Sequence, residues 1–382
     1  MSPQEPDRPI AAGPGHIPPA EDGHIDLTWS GSPWSLVGLS LLNLILTILT
    51  LGIYSFWGKT EVRRRIWSSI RLNDEPLAYT GTGGELLIGF VLVFAVVLLP
   101  TLAALTAAVI YFGPNSPVTA TVQSGLYAVY FYLFGVAVYR ARRYRLSRTL
   151  WRGIRGGMSG SAISYAWLSF WSALLIPFTL GWIIPWRANR LQARLTRETT
   201  FGNLPFSYYG RSGPLYARFA GLWIGGIVIY VGAIAAITGL LFPVIMAQAE
   251  TSGRGLPPQI PPADIAIVIG IGFVALTLLA IIGAWYQSKQ VNLFASYTGF
   301  DRAQLYARTT AFGLIGLFLT NLLVIFLSLG VLKPVAQARA ARYFIQRIAL
   351  QGNVDTAAIA QNQDALSRVG EGLAQAFDVD AF

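Results

Sequence analysis

The chain has 382 residues, of which 54% are hydrophobic and only 12% charged, with a net charge of +10. A soluble domain carries about 25% charged residues, so the composition excludes an ordinary soluble globule. There is no cysteine, and both histidines, His16 and His24, lie near the N-terminus; disulfides, thiolate metal sites and a serine–histidine–aspartate triad in the folded part are thereby argued against.

Residues 1–33, rich in Pro, Gly, Ala and acid, read as a disordered tail without the apolar core of a signal peptide. Seven apolar runs follow, at 36–57, 86–112, 122–139, 163–185, 216–247, 264–285 and 311–332. Runs of about 20 residues cover a hydrocarbon core roughly 30 Å thick. A membrane barrel alternates instead of running continuously apolar. The fold class expected is therefore all-α, a polytopic helical membrane protein with four to seven spans.

The first run ends in "LTLGIYSFWGKTEVRRR" at 49–65, and the ending recurs. Thr50-Leu51-Gly52 is matched by Thr179-Leu180-Gly181, 129 residues on, and by Ser328-Leu329-Gly330, a further 149 on. Under the same offsets Trp57 falls on Trp186, Arg65 on Arg194, Tyr79 on Tyr208, and Arg190 on Arg339. Nine residues before each glycine stand Asn43, Ser172 and Asn321. The pattern predicts two full repeats and a truncated third: tail 1–33, repeat one 34–160, repeat two 161–308, repeat three 309–350, and a C-terminal tail 351–382.

Each full repeat reads as an apolar segment A, a basic stretch, a short strand-like polar piece and two long apolar helices. In "LAYTGTGGE", Thr82 stands three residues before Glu85, the spacing of a capping box. Glycines at a helix start also suit a phosphate, but "YYGRSGPLY" in the second copy is no phosphate loop. In the basic stretch Val62, Ile66 and Ile70 recur every four residues with Arg63, Arg64 and Arg71 between them. That spacing predicts an interfacial helix facing anionic headgroups, anchored by Trp57 and Trp186. Arg63, Arg64, Arg65, Arg190, Arg194, Arg339 and Arg342 are its expected lipid contacts. In the fifth run, Gly221 and Gly225 permit close helix approach, within the chain or between copies.

Of the 28 Lys and Arg, 25 lie in stretches flanking apolar runs, at 59–71, 140–155, 187–218, 289–308 and 333–347. Such stretches read as topology signals, with no nucleic-acid partner expected. If all seven runs cross, 18 positive residues fall inside and 10 outside; if each segment A enters and returns on one side, 27 fall inside and 1 outside. Re-entry is the reading the charges favour, bent at Gly52, Gly181 and Gly330 and broken at Pro177, with both termini cytoplasmic and outer loops at 113–121 and 248–263.

The stretches "LLNLILTILTLGIYSFWGKTEVRRR", "YTGTGGELLIGF", "RGIRGGMSG", "FTLGWIIPWRANRLQARL" and "LTNLLVIFLSLGVLKPVAQARAARY" resemble the YjgN family of bacterial inner-membrane proteins across residues 27–350. "KPVAQARAARY" departs from the family, which usually has Trp after that Pro. The resemblance implies an inner-membrane location and repeated architecture, and no activity.

Two functions fit these residues. One is transport or permeation of a small solute, with Asn43, Ser172 and Asn321 at one depth either lining a pathway or bonding neighbouring helices. The other is a membrane-surface structural or regulatory protein that binds anionic lipid or a partner through its basic stretches. The carboxylates Glu61, Asp74, Glu75 and Glu85 are loop or cap residues, so no enzyme chemistry, metal or cofactor is expected. Oligomeric state is open.

Overall fold

The computed structural model describes residues 25–251, 260–355 and 359–361. Residues 1–24, 356–358 and 362–382 of the expected tails, and 252–259 of the expected loop 248–263, lie outside them.

The expectation of an all-α chain is corrected by eleven short strands among the described residues. These are β1 Leu27–Trp29, β2 Ile70–Leu72, β3 Glu75–Pro76, β4 Ala78–Tyr79, β5 Thr149–Trp151, β6 Ile154–Met158, β7 Thr199–Phe201, β8 Leu204–Tyr208, β9 Thr298–Phe300, β10 Ala303–Ala307 and β11 Ile348–Gln351. Two-residue turns join β2 to β3, β5 to β6, β7 to β8 and β9 to β10. The first turn residue takes the left-handed conformation in each: Asn73, Arg152, Gly202 and Asp301. Such turns match the twist of antiparallel strands.

Sheets β1-β2-β3 and β11-β10-β9-β8-β7-β6-β5-β4 are antiparallel throughout. β3 passes into β4 through Leu77, and β1 lies beside β11, so the ladder curls back on itself. Phe300, Ala303, Ile25, Val354 and Ile359 fill it, with Phe201 and Phe206 packed against them. The Phe206 and Phe300 rings stand 4.6 Å apart, a pairing that adds about 1 kcal/mol to the area they bury. Ile25, β1, Val354 and Ile359 belong to segments expected as tails; here they are part of the core.

Helices leave and re-enter this ladder in pairs. α1 Val37–Leu49 pairs with α2 Ser55–Ser69, α6 Ala162–Phe178 with α7 Ile184–Arg197, and α10 Ala311–Leu327 with α11 Lys333–Ile345. Between them come two longer hairpins: α3 Gly83–Val93 and α4 Leu99–Phe112 with α5 Pro117–Arg148, and α8 Gly213–Thr251 with α9 Pro262–Ser296. Helices leave the ladder through side-chain caps at Ser32, Thr82, Ser161 and Thr310, each accepting a backbone N–H of the first turn. α3 and α4 join through a π-helical turn, Phe94–Leu98, just before Pro100, whose missing N–H breaks the regular ladder.

Strand pairing ties the two ends of every hairpin together. Trp29 opposes Ile70 across α1–α2, and Tyr79 opposes Thr149 across α3–α5. Met158 opposes Thr199 across α6–α7, Tyr208 opposes Thr298 across α8–α9, and Ala307 opposes Ile348 across α10–α11. All five hairpins thus start and finish on one face of the molecule.

They reach different distances. At 1.5 Å per residue, the 17-residue α6 and α10 are about 25 Å long. The 30 residues of α3–α4 and the 32 of α5 run to about 45 Å. These, with α8 and α9, are the four helices long and apolar enough to cross a membrane among the described residues. The second short hairpin is tied to its long neighbour near its tip. Trp223 Nε1, eleven residues into α8 and so about 15 Å from the ladder, donates to Leu180 O at 2.8 Å.

Candidate functional site

The three short hairpins turn on one backbone design. Gly52 N–H bonds Thr47 O at 2.7 Å, Gly181 bonds Ile176 O at 2.8 Å and Gly330 bonds Ile325 O at 2.7 Å, the six-to-one closure that ends a helix. Leu51, Leu180 and Leu329 occupy the preceding position at φ 51°, 49° and 48°. There a side chain costs about 1–2 kcal/mol relative to right-handed backbone. Thr50 and Thr179 then accept the backbone N–H of Tyr54 and Ile183, and Ser328 that of Leu332, starting the returning arm. The strained leucines are nearly bare at the tips: Leu51 is 94% exposed and Leu329 93%. A leucine in such a place gains from an apolar surrounding outside the protein, where its burial is worth about 2 kcal/mol.

The basic helices α2, α7 and α11 are these returning arms. Val62 and Ile66 of α2 are buried with Leu36, Val335, Ala338 and Ala341, so the first and last short hairpins pack together. The apolar stripe of α2 thus has α11 as its partner.

Between these hairpins and the base of α5 lies a cavity of about 490 Å³. Ser40, Asn43 and Thr47 of α1 form one wall, and Ser55, Lys59 and Arg63 of α2 the next. Arg142, Arg145 and Thr149 at the end of α5 face them, and Gly330, Lys333 and Gln337 close the third side. Trp67 Nε1 donates to Thr149 Oγ1 at 2.8 Å, fastening α2 to the end of α5. A second cavity, of about 450 Å³, shares Arg142, Leu146 and Thr149 with the first and runs to Gln192, Thr196 and Thr298 beside the ladder.

The expected site residues divide. Asn43 Nδ2 donates to Gly58 O at 3.4 Å and Asn321 Nδ2 to Ala336 O at 3.2 Å, the same bond in two hairpins, from outgoing arm to returning arm. A Cβ on Gly58 would stand 3.1 Å from Asn43 Cγ, so the glycine lets this side chain close in. Ser172 bonds Leu168 O within its own helix. Of the three, Asn43 lines the cavity. Gly52, Gly181 and Gly330 are at the tips with positive φ, and Pro177 falls in the last turn of α6 without interrupting it.

The expected anchors also divide. Trp57 lies over Gly83, and Arg190 stacks on Trp186 at 5.8 Å. Arg63 donates to Tyr79 OH at 3.3 Å and Arg64 to Gly81 O at 3.1 Å, bracing the passage from β4 to α3. Arg194 pairs with Glu198, and Arg339 donates to Thr320. Arg65 and Arg342 are exposed. Gly225 faces Ile282 and Gly221 faces Trp285, so this pair of glycines serves contact between α8 and α9.

The capping box is half formed. Thr82 Oγ1 accepts Glu85 N–H at 3.3 Å, while the Glu85 carboxylate turns to Arg148 and to Tyr144 OH, 2.6 Å away, closing the base of the α3–α5 hairpin. Sequence reasoning missed Lys59, Arg142, Arg145 and Lys333 as cavity residues, having read them as topology signals. Arg142, Arg145 and Thr149 at i, i+3 and i+7 share one helix face, which was the available sign. Among the described residues no group of three or more His, Cys, Asp or Glu could hold a metal ion.

A family model described as "bacterial protein of unknown function (DUF898)" matches residues 24–376. The chain is 40% identical over 70 residues to "Inner membrane protein YjgN" of Salmonella typhimurium (strain LT2), a stretch covering 18% of each chain. It is 25% identical over 145 residues to the protein of that name from Escherichia coli (strain K12), covering 37% of this chain and 33% of the relative. The matches thus span a third or less of these relatives' own length. No solved structure matches.

Proposed function

Because the chain belongs to that family of bacterial membrane proteins of unknown function, no activity comes with membership, and we propose that it is a multi-pass inner-membrane protein that lets a small solute permeate. The observation that carries this reading is the 490 Å³ cavity between half-length hairpins, whose largely apolar walls carry Asn43, Ser55 and five basic side chains. Interrupted backbone at membrane depth is tolerated where it lines such a cavity, and paired broken segments mark solute sites in transporters.

In this reading α3–α4, α5, α8 and α9 span the bilayer, and the three short hairpins enter from the cytoplasmic side and return. The strand pairs across every hairpin support it, since a chain that crossed an odd number of times between two strands could not pair them. The bare leucine tips support it too, because hydrocarbon is an apolar surrounding that rewards them. The ladder, both termini and nearly all positive charge are then cytoplasmic. The three hairpins descend from one repeated unit, truncated in its third copy, and no catalytic step is part of the reading. The second reading, a surface protein that holds anionic lipid or a partner, draws on the exposed Arg65, Arg190 and Arg342.

The test uses the absence of native cysteine. Purified protein carrying Ser55→Cys, reconstituted in liposomes, is assayed for uptake of a panel of small charged and neutral solutes before and after a bulky thiol reagent. Flux that falls on modification supports the cavity as a route. Absence of flux for every solute, or flux unchanged by full modification, overturns it.

A further inference from the structure

The charged residues described in the walls of the first cavity are all basic. Lys59, Arg63, Arg142, Arg145 and Lys333 all line it, and among the described residues no carboxylate does. Arg142 stands where the two cavities meet, and its Nε is enclosed without a hydrogen-bond partner. A guanidinium is costly to enclose with a donor unused, and the cost is recovered when an anion arrives to take it. Across the same cavity Asn43 has spent its amide N–H on Gly58, leaving its Oδ1 buried and without a donor. The Arg142 Nε–H is therefore on offer to an anionic oxygen and the Asn43 Oδ1 to a hydroxyl.

The first turns of α2 and α11, represented by Ser55 and Pro334, also line the cavity, bringing the positive ends of two helices to it. Leu44, Val62 and Val331 complete the walls with apolar surface.

We propose that this cavity binds a phosphate ester carrying a free hydroxyl, with Arg142 on the phosphate oxygens and Asn43 on the hydroxyl. This rests on the permeation reading of the same cavity and names the class of its solute. The phosphate can belong to a soluble polyol phosphate or to the headgroup of a lipid in the adjoining leaflet.

The experiment uses the full chain, delipidated in detergent. Glycerol 1-phosphate is titrated by calorimetry, and phosphatidylglycerol against phosphatidylcholine is followed by native mass spectrometry. Saturable binding of the free ester identifies a soluble solute; retention of phosphatidylglycerol alone identifies a headgroup. In either case Arg142→Met should weaken binding at least tenfold while leaving the melting temperature unchanged or higher, because it removes an enclosed charge with an unmet donor. Arg142→Lys, which keeps the charge without Nε, should also bind more weakly, and Arg65→Gln, outside the cavity, should bind as the native chain does. A residue with a merely structural role would lower melting temperature and binding together. No binding of either probe overturns the proposal, as does an affinity within twofold of native in both Arg142 variants. Binding without flux leaves the phosphate site standing and removes the permeation reading; flux without binding does the reverse.

Discussion

Asn43→Leu and Asn321→Leu separate a cavity wall from a packing contact, because the two asparagines make the same bond in different surroundings. Each loses one interhelical N–H···O bond, 3.4 Å long at Asn43 and 3.2 Å at Asn321. Such bonds in membrane proteins average about 0.6 kcal/mol and reach about 1.7. The long geometry puts both at the lower end, and each leucine also removes a buried Oδ1 that has no partner, which offsets part of the loss. Both variants should therefore unfold in mixed detergent with losses of about 0.5 kcal/mol, equal within error. Flux in liposomes should diverge. Asn43→Leu takes a hydrogen-bonding group from the wall, worth about 1–2 kcal/mol to a desolvated solute, so transport should drop about tenfold. Asn321→Leu, away from that wall, should transport as the native chain does. Equal flux defects in the two variants, or none in either, would refute the reasoning.

Two further outcomes follow from ion pairs at the ladder. Glu85→Gln leaves Arg148, 8% exposed, without its carboxylate; losing one partner of a buried pair costs about 3–5 kcal/mol, reduced here to about 2 because Glu85 keeps part of its surface in water. Unfolding of Glu85→Gln, Arg148→Met and the double variant measures this, the double variant recovering most of the loss; equal stability of native and Glu85→Gln chains counts against it. Arg152 grips Glu75 through Nε at 2.7 Å and Nη2 at 3.1 Å, and these bonds hold the Glu75 carboxyl below its usual range. A lowered folded-state value contributes stability above the usual glutamate pKa, about 4.3, that is lost as pH falls below it. Protection factors of the β2–β3 and β5–β6 turns, taken relative to the intrinsic exchange rate at each pH, should fall on acidification below the usual glutamate pKa in the native chain and lose that dependence in Glu75→Gln.

Much of the membrane architecture was legible because it is local. Apolar length marks the four long helices, and Thr-Leu-Gly marks the tips, where a capping hydroxyl, an exposed leucine and a positive-φ glycine are needed at consecutive positions. The ladder was not legible, since its strands are two to five residues long and pair with partners far along the chain, as Tyr208 does with Thr298. Its local traces were the short strand-like polar pieces and turn residues such as Asn73-Asp74, Arg152-Gly153, Gly202-Asn203 and Asp301-Arg302. The cavity was hidden by double use. Arg142 and Arg145 satisfy the rule for cytoplasmic charge whether or not they face inward, and only tertiary packing places them opposite Asn43.

The central claim is that three hairpins enter the membrane and turn back. It is tested by single cysteines at Leu51, Leu180 and Leu329, with Asn203 in a ladder turn and Asn115 between α4 and α5 as references, all in a chain without native cysteine. In oriented vesicles an impermeant maleimide should reach Asn203 only from the cytoplasmic side and Asn115 only from the opposite side. It should reach none of the three tips, whose attached spin labels should be relaxed by lipid-dissolved oxygen and not by aqueous nickel chelates. Labelling of any tip, or of Asn203, from the side that labels Asn115 would mean that the short helices cross, and would contradict the account.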